Sequence, residues 1–330
     1  MKPIIVLGSG LAAYTLVREL RKLNRDTPVT LVTRDSGDYY SKPTLSNAFA
    51  QGKEPAGLVL TSAQTMAEQQ GFTLLANTEV GAIHREARQL ETTAGMLEYD
   101  KLVLAIGADP IRIPLQGDAA DAVLSVNDLA DYAIFRNALG DAKSVALMGG
   151  GLIGCEFAND LALAGFKVAV IDPGSYPLAG LLSEQAGRKL LEPLSKIGVT
   201  WRFKTAVQRV DTSDKGYKLT LTDQSTEYAD IVLSAVGLRP RIQLAKDAGL
   251  AVNRGISVNA RAACMMGNTY GRVCPPISAQ SPSAKIAASE LCSCSSTRMP
   301  RLTASPASFA NWMRGRRPTA ESTMSAYSVL

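Results

Sequence analysis

Over the first 261 positions short apolar runs alternate with stretches of helical spacing. Ile4–Leu7, Val29–Val32, Val145–Met148 and Val168–Ile171 are four-residue runs, of the length and β-branched character expected of strands buried on both faces. Strands alternating with helical segments predict an α/β architecture with parallel sheets. One arrangement occurs twice, about 140 residues apart: "IIVLGSGLAAYTLVREL" from Ile4 and "VALMGGGLIGCEFANDL" from Val145 each give a strand, a glycine turn and a helix.

The second copy is a full dinucleotide fingerprint. Gly149-Gly150-Gly151-Leu152-Ile153-Gly154 follows its strand directly, the helix runs to Leu163, and a second strand ends at Asp172, 23 residues after Gly149. Gly149 allows the tight turn, Gly151 lets backbone approach a pyrophosphate, and Gly154 lets helix and strand pack closely. The pyrophosphate is expected on the helix N-terminus, at the amides of Leu152 and Ile153. Asp172 is placed to accept hydrogen bonds from ribose hydroxyls and to repel a 2′-phosphate, which predicts NADH over NADPH. The first copy reads Gly8-Ser9-Gly10-Leu11-Ala12-Ala13, with Ala13 in the third small position. Its second strand ends in Thr33 and Arg34 where an acid is usual. Either Asp35 takes that role or Thr33 and backbone hold the ribose. Two such units predict two dinucleotides, because a single-cofactor dehydrogenase would leave one turn with nothing to bind.

Together with these turns, "YSKPTLS" at Tyr40–Ser46, "YDKLVLAIGADP" at Tyr99–Pro110, Glu156, and "ADIVLSAVGLRPR" at Ala229–Arg241 resemble the two-dinucleotide flavoproteins of the pyridine-nucleotide oxidoreductase superfamily and, within it, the rubredoxin-NAD reductases. The resemblance covers about residues 1–261. It implies two Rossmann-like domains, the NAD domain (110–230) inserted into a discontinuous FAD domain (1–109 and 231–261). It also implies FAD and NADH as cofactors, with electrons passing from NADH through FAD to rubredoxin or a similar small one-electron iron protein. Lys42 matches the position near the flavin ring and Glu156 its acidic neighbour, a catalytic pair that would hold each other charged; the plainer reading makes them a solvated lysine and a first-turn acid complementing the helix dipole. Pro43, Val80, Ala105, Gly107 and Gly237 match further cofactor-lining positions.

Disulfide reductases of this superfamily carry two cysteines near the flavin, and the peroxide- and oxygen-reducing relatives carry one. Residues 40–50 here carry none, which disfavours thiol chemistry. Cys155, between Gly154 and Glu156, is expected to be a small buried thiol without reactivity. The single histidine, His84, lies in "AIHREARQLE", which reads as a polar hairpin with the imidazole exposed. The spacing of Cys264, Cys274, Cys292 and Cys294 does not suggest a metal site.

Charge changes the picture only at the end of the chain. The net +5 comes from 35 Lys and Arg against 30 acids. Seven of the basic and two of the acidic residues lie in 262–330, leaving 28 of each before it. That tail has eight Leu, Ile, Val and Phe in 69 residues, a composition that buries no core. An altered reading frame near Arg261 is the expectation, with the flavin-binding aspartate element and the interface domain of the family missing. No apolar run reaches the length of a membrane span, no charge run or aromatic stripe indicates nucleic acid, and a cytoplasmic address is expected. Three functions compete: a rubredoxin reductase-like flavoenzyme, a related NADH-dependent ferredoxin reductase or oxidase, and a non-catalytic protein that keeps NADH and loses FAD. The oligomeric state is not legible.

Overall fold

The computed structural model describes residues 1–259 and the two-residue strand Ser328–Val329. The expected break near Arg261, and four of the five cysteines, lie outside the described residues. Backbone contacts divide the chain into two compact units: Met1–Asp38 with Ala63–Gly107 and the chain from Arg241, and Tyr39–Ser62 with Ala108–Pro240.

In the first unit, β1 (Ile4–Leu7) is followed by α1 (Leu11–Leu23), β2 (Val29–Val32), β3 (Thr73–Leu75) and β4 (Lys101–Leu104). The five-stranded sheet has the order Ser328–Val329, β4, β1, β2, β3. β1 runs parallel to both neighbours, with Ile5 opposite Thr30 on one side and Leu102 on the other. A strand in that position has no solvent face, which is why Ile5, Val6 and Leu7 are all apolar and buried. One face packs Ile5, Leu7, Leu102 and Leu104 against Ile83, Leu90 and Tyr99. Ile83 and Leu90 come from an antiparallel three-stranded sheet, Val80–His84, Gln89–Thr92 and Gly95–Glu98.

In the second unit, β5 (Ser144–Met148) leads into α2 (Leu152–Leu163), β6 (Lys167–Asp172), β7 (Val199–Phe203) and β8 (Ile231–Ser234). The sheet order is β7, β6, β5, β8, with all pairings parallel. Side chains of β5 alternate between two cores. Val145 and Leu147 join Phe135, Phe157 and Leu161, while Ala146 and Met148 face Val210, Leu219 and Leu221 of an antiparallel hairpin.

The units differ from the expected division in two places. β8 lies in the second sheet, not the first, because its buried Val232 and Leu233 complete both cores beside β5. The chain returns to the first unit only at Arg241, whose amide donates to Gly107 O at 3.0 Å. The segment Tyr39–Ser62 also groups with the second unit, where Leu45, Ala48 and Leu58 are buried against Tyr132.

Candidate functional site

The two glycine turns are built alike. Gly8 donates to Val32 O and Gly149 to Ile171 O, both at 2.8 Å, so each turn is tied to the end of its second strand. Their φ values, +106° and +104°, lie where side chains are strained. A Cβ on Gly8 would stand 2.3 Å from Ala105 O, and one on Gly149 2.8 Å from Ala235 O. Those carbonyls belong to the Ala-Ile-Gly and Ala-Val-Gly sequences after β4 and β8, where Ala105 and Ala235 donate back to Leu7 O and Met148 O at 2.9 and 2.8 Å. The glycines that close these sequences, Gly107 and Gly237, have φ of +69° and +125°.

Beyond each turn the helix start is open. Gly10 and Gly151 are the N-caps of α1 and α2, neither start is capped by a side chain, and neither first turn holds an acid. A Cβ built on Gly10 or Gly151 meets nothing within 4 Å. Uncapped amides at the positive end of a helix, approached without obstruction, suit a diphosphate. Leu11 and Leu152, the first residues of the two helices, are 44% and 43% exposed, with Ala12 and Ile153 half-buried behind them. At the third small position the copies part. Gly154 accepts no Cβ, which would lie 1.9 Å from Gly149 O, whereas Ala13 is fully buried.

The acids beside the turns are held differently. Asp172, the last residue of β6, accepts the Gly150 amide on Oδ2 at 2.5 Å and the Gly174 amide on Oδ1 at 2.6 Å. In the first unit Asp35 Oδ1 gathers the Ser9 hydroxyl at 2.8 Å, the Thr33 hydroxyl at 2.7 Å and the Gly37 amide at 3.0 Å. Thr33 and Asp35 form one cluster with Ser9, and Arg34 between them is exposed.

Lys42 and Pro43 open the 3-10 helix Lys42–Asn47, with Lys42 exposed and Ser46 buried. The Ser46 hydroxyl donates to Glu156 Oε2 on α2. Burial holds the Glu156 carboxyl above the usual carboxylate range, and the Ser46 bond opposes that shift. Ser46 stands four positions after Lys42 on the same short helix, so the segment that carries Lys42 reaches the Glu156 carboxylate. One turn further down α2, Asp160 is 3% exposed and accepts the amides of Phe49 at 2.8 Å and Ala50 at 3.2 Å. Neither Ser46 nor Asp160 was foreseen, since about 110 residues separate each from its partner and no local pattern marks such a pair.

The remaining candidates are placed simply. Val80, half-buried, packs on the first core. Cys155 is buried with its thiol directed at Gly150 O, 3.4 Å away, and burial, with Asp172 and Glu156 nearby, pushes its pKa up to about 12; a thiol so raised is a poor nucleophile. His84 is exposed at the end of its strand, 3.7 Å from Glu91 Oε2 across the hairpin. Among the described residues no group of His, Cys, Asp and Glu could hold a metal, and no helix is long and apolar enough to cross a membrane.

Comparison with known proteins agrees with this geometry. Residues 2–270 match the family described as pyridine nucleotide-disulphide oxidoreductase. The rubredoxin-NAD(+) reductase of Alcanivorax borkumensis is 45% identical over 257 residues, 78% of this chain and 67% of that protein. The nitric oxide reductase FlRd-NAD(+) reductase of Aeromonas hydrophila is 40% identical over 261 residues, covering 79% and 67%. Among solved structures, the ferredoxin reductase for the CYP199A2 system of Rhodopseudomonas palustris superposes with a TM-score of 0.75 at 25% identity, covering 80% of this chain and 66% of that one. The chain thus spans about two thirds of the length of these relatives. By match and by architecture, it belongs to the pyridine nucleotide-disulphide oxidoreductase family.

Proposed function

We propose that this chain is an FAD-dependent oxidoreductase that passes electrons from NADH to rubredoxin or a similar small iron protein in the cytoplasm. The observation that carries the proposal is the repetition of one device: a glycine turn tied to its second strand, pressed against an alanine carbonyl, and opening onto an uncapped helix start. FAD, when bound, accepts a hydride's two electrons and releases them singly to a one-electron acceptor.

The chain's own groups bind and orient. The amides after Gly8, Ser9 and Gly10, at Leu11, Ala12 and Ala13, take the FAD diphosphate. Asp35, with Thr33 and Arg34 just before it, takes the ribose of its adenosine, since the three bonds on Asp35 fall on Oδ1 and leave Oδ2 for a hydroxyl. Gly149, Gly151, Leu152, Ile153 and Gly154 take NADH, and Asp172 favours it over NADPH by repelling a 2′-phosphate. Lys42 and Glu156 orient the flavin and nicotinamide electrostatically, with Pro43, Val80, Ala105, Gly107 and Gly237 lining the flavin.

The 45% identity to a rubredoxin-NAD(+) reductase favours rubredoxin as acceptor; the structural likeness to a ferredoxin reductase supports ferredoxin as the second reading. Purified protein is expected to be yellow, to be bleached by NADH more readily than by NADPH, and to reduce rubredoxin faster than ferredoxin. A colourless protein that takes up no added FAD yet binds NADH would overturn the flavoenzyme reading. Faster reduction of ferredoxin would overturn only the acceptor.

A further inference from the structure

Glu156 and Asp160 lie four residues apart and so share one face of α2, the helix whose start is the second glycine turn. Both reach the segment that begins at Lys42, Glu156 through the Ser46 hydroxyl and Asp160 through the amides of Phe49 and Ala50. A carboxylate as buried as Asp160 is costly unless its oxygens are satisfied. Here a backbone amide satisfies each oxygen: Phe49 donates to Oδ2 and Ala50 to Oδ1. Leu161 and Ala158 beside it on α2 are ordinary core residues, and an apolar side chain at position 160 would fill the space without gripping a backbone. The following stretch is held as well. Tyr132 donates to Lys53 O at 2.9 Å, and the Arg136 guanidinium lies 4.8 Å from the centre of the Phe49 ring.

We infer that Asp160 is a positioning residue: by clasping the Phe49 and Ala50 amides it fixes the segment that carries Lys42 to the helix that starts at the nucleotide turn. The inference rests on the role proposed for Lys42 in orienting the flavin. A shift of about 1 Å in such a group slows a transfer step far more than it weakens binding.

The test uses the full chain loaded with FAD, comparing wild type, Asp160→Asn and Ser46→Ala. Asp160→Asn keeps the shape but turns an amino group toward one of the two amides. It is expected to raise hydrogen exchange at Phe49 and Ala50 about tenfold, the scale of one lost hydrogen bond to a charged group, and to leave exchange in β5 and β6 unchanged. The limiting rate of flavin reduction is expected to fall about tenfold while half-saturation by NADH moves less than about twofold, since the turn itself is untouched. Ser46→Ala, which removes one hydroxyl, is expected to act in the same direction and less strongly.

Unchanged exchange at Phe49 and Ala50, or an unchanged limiting rate, overturns the inference. Loss of protection throughout β5 and β6 together with weaker NADH binding also overturns it, by making the role merely structural. If wild type takes up FAD and is not reduced by NADH, the proposed function fails instead. The positioning claim is then decided by acylation of Lys42, read by mass spectrometry, which Asp160→Asn must accelerate for the claim to stand.

Discussion

The two glycine turns of this chain share one plan and differ in how each is braced. In the first, a carboxylate three residues past its neighbour strand gathers two hydroxyls and one amide on a single oxygen. In the second, the terminal acid of the strand uses both oxygens on backbone amides, and the helix approaches the turn so closely that its third small residue can only be glycine. The first is fastened mostly through side chains and has room for Ala13. The second is fastened through backbone and has none. Equivalent substitutions should therefore cost unequal amounts in the two units.

The largest difference is expected from Gly154→Ala set against Ala13→Gly. The added methyl meets Gly149 O at 1.9 Å, a backbone atom that cannot swing aside. About 3 kcal/mol or more is expected to be lost, together with NADH binding. Ala13→Gly should cost less, about 2 kcal/mol, from helix propensity and one buried methyl. Thermal unfolding and titration with NADH distinguish the two. Equal losses would mean that the helices sit at the same distance from their turns.

Next in size are the two acids. Asp172→Asn must present an amino group to the Gly150 or the Gly174 amide and is expected to cost about 1–3 kcal/mol and to weaken NADH binding. In Asp35→Asn the carbonyl oxygen can take the place of Oδ1 and keep all three bonds, so less than about 0.5 kcal/mol is expected. Urea unfolding curves check both, and a larger loss at Asp35 would reverse the comparison.

A smaller effect concerns pH. In the second unit burial raises the Glu156 carboxyl above its ordinary value, so the folded chain holds that proton more tightly than the unfolded one. The resulting stability is fully present below the ordinary Glu value and is lost as pH rises through the raised folded value. Glu156→Gln, which does not titrate, should flatten the stability-versus-pH curve in that window. A curve superimposable on wild type would count against the burial. The smallest effect is a near-silence: with its pKa near 12, Cys155 should resist alkylation at pH 8 until the unit unfolds, as mass spectrometry of its peptide would show.

Much of the fold was legible because it is local. A four-residue apolar run, a glycine at positive φ and a helical period are each decided within a few residues, so β1, β2, β5, β6, both turns and Asp172 could be read directly. Less was legible where the chain must choose between partners far apart. "ADIVLSAVGLRPR" suggested a return to the first unit near residue 231, yet Val232 and Leu233 are equally suited to either parallel sheet. Pairing with β5 decided the matter. Tyr39–Ser62 shows no period that assigns it to one unit; the burial of Leu45, Ala48 and Leu58 against Tyr132 does.

The sequence by itself determined that the chain forms two strand–turn–helix units with open helix starts, because turn conformation and amphipathic period are short-range properties. Only the tertiary structure decided which carbonyls close on Gly8 and Gly149, that Ser9, Thr33 and Asp35 form one cluster, and that Glu156 and Asp160 grip Ser46, Phe49 and Ala50. Apart from Thr33 with Asp35, those contacts join positions 24 to 111 residues apart. Their free energy depends on closing long loops and burying polar groups in satisfied pairs, which no window of sequence contains.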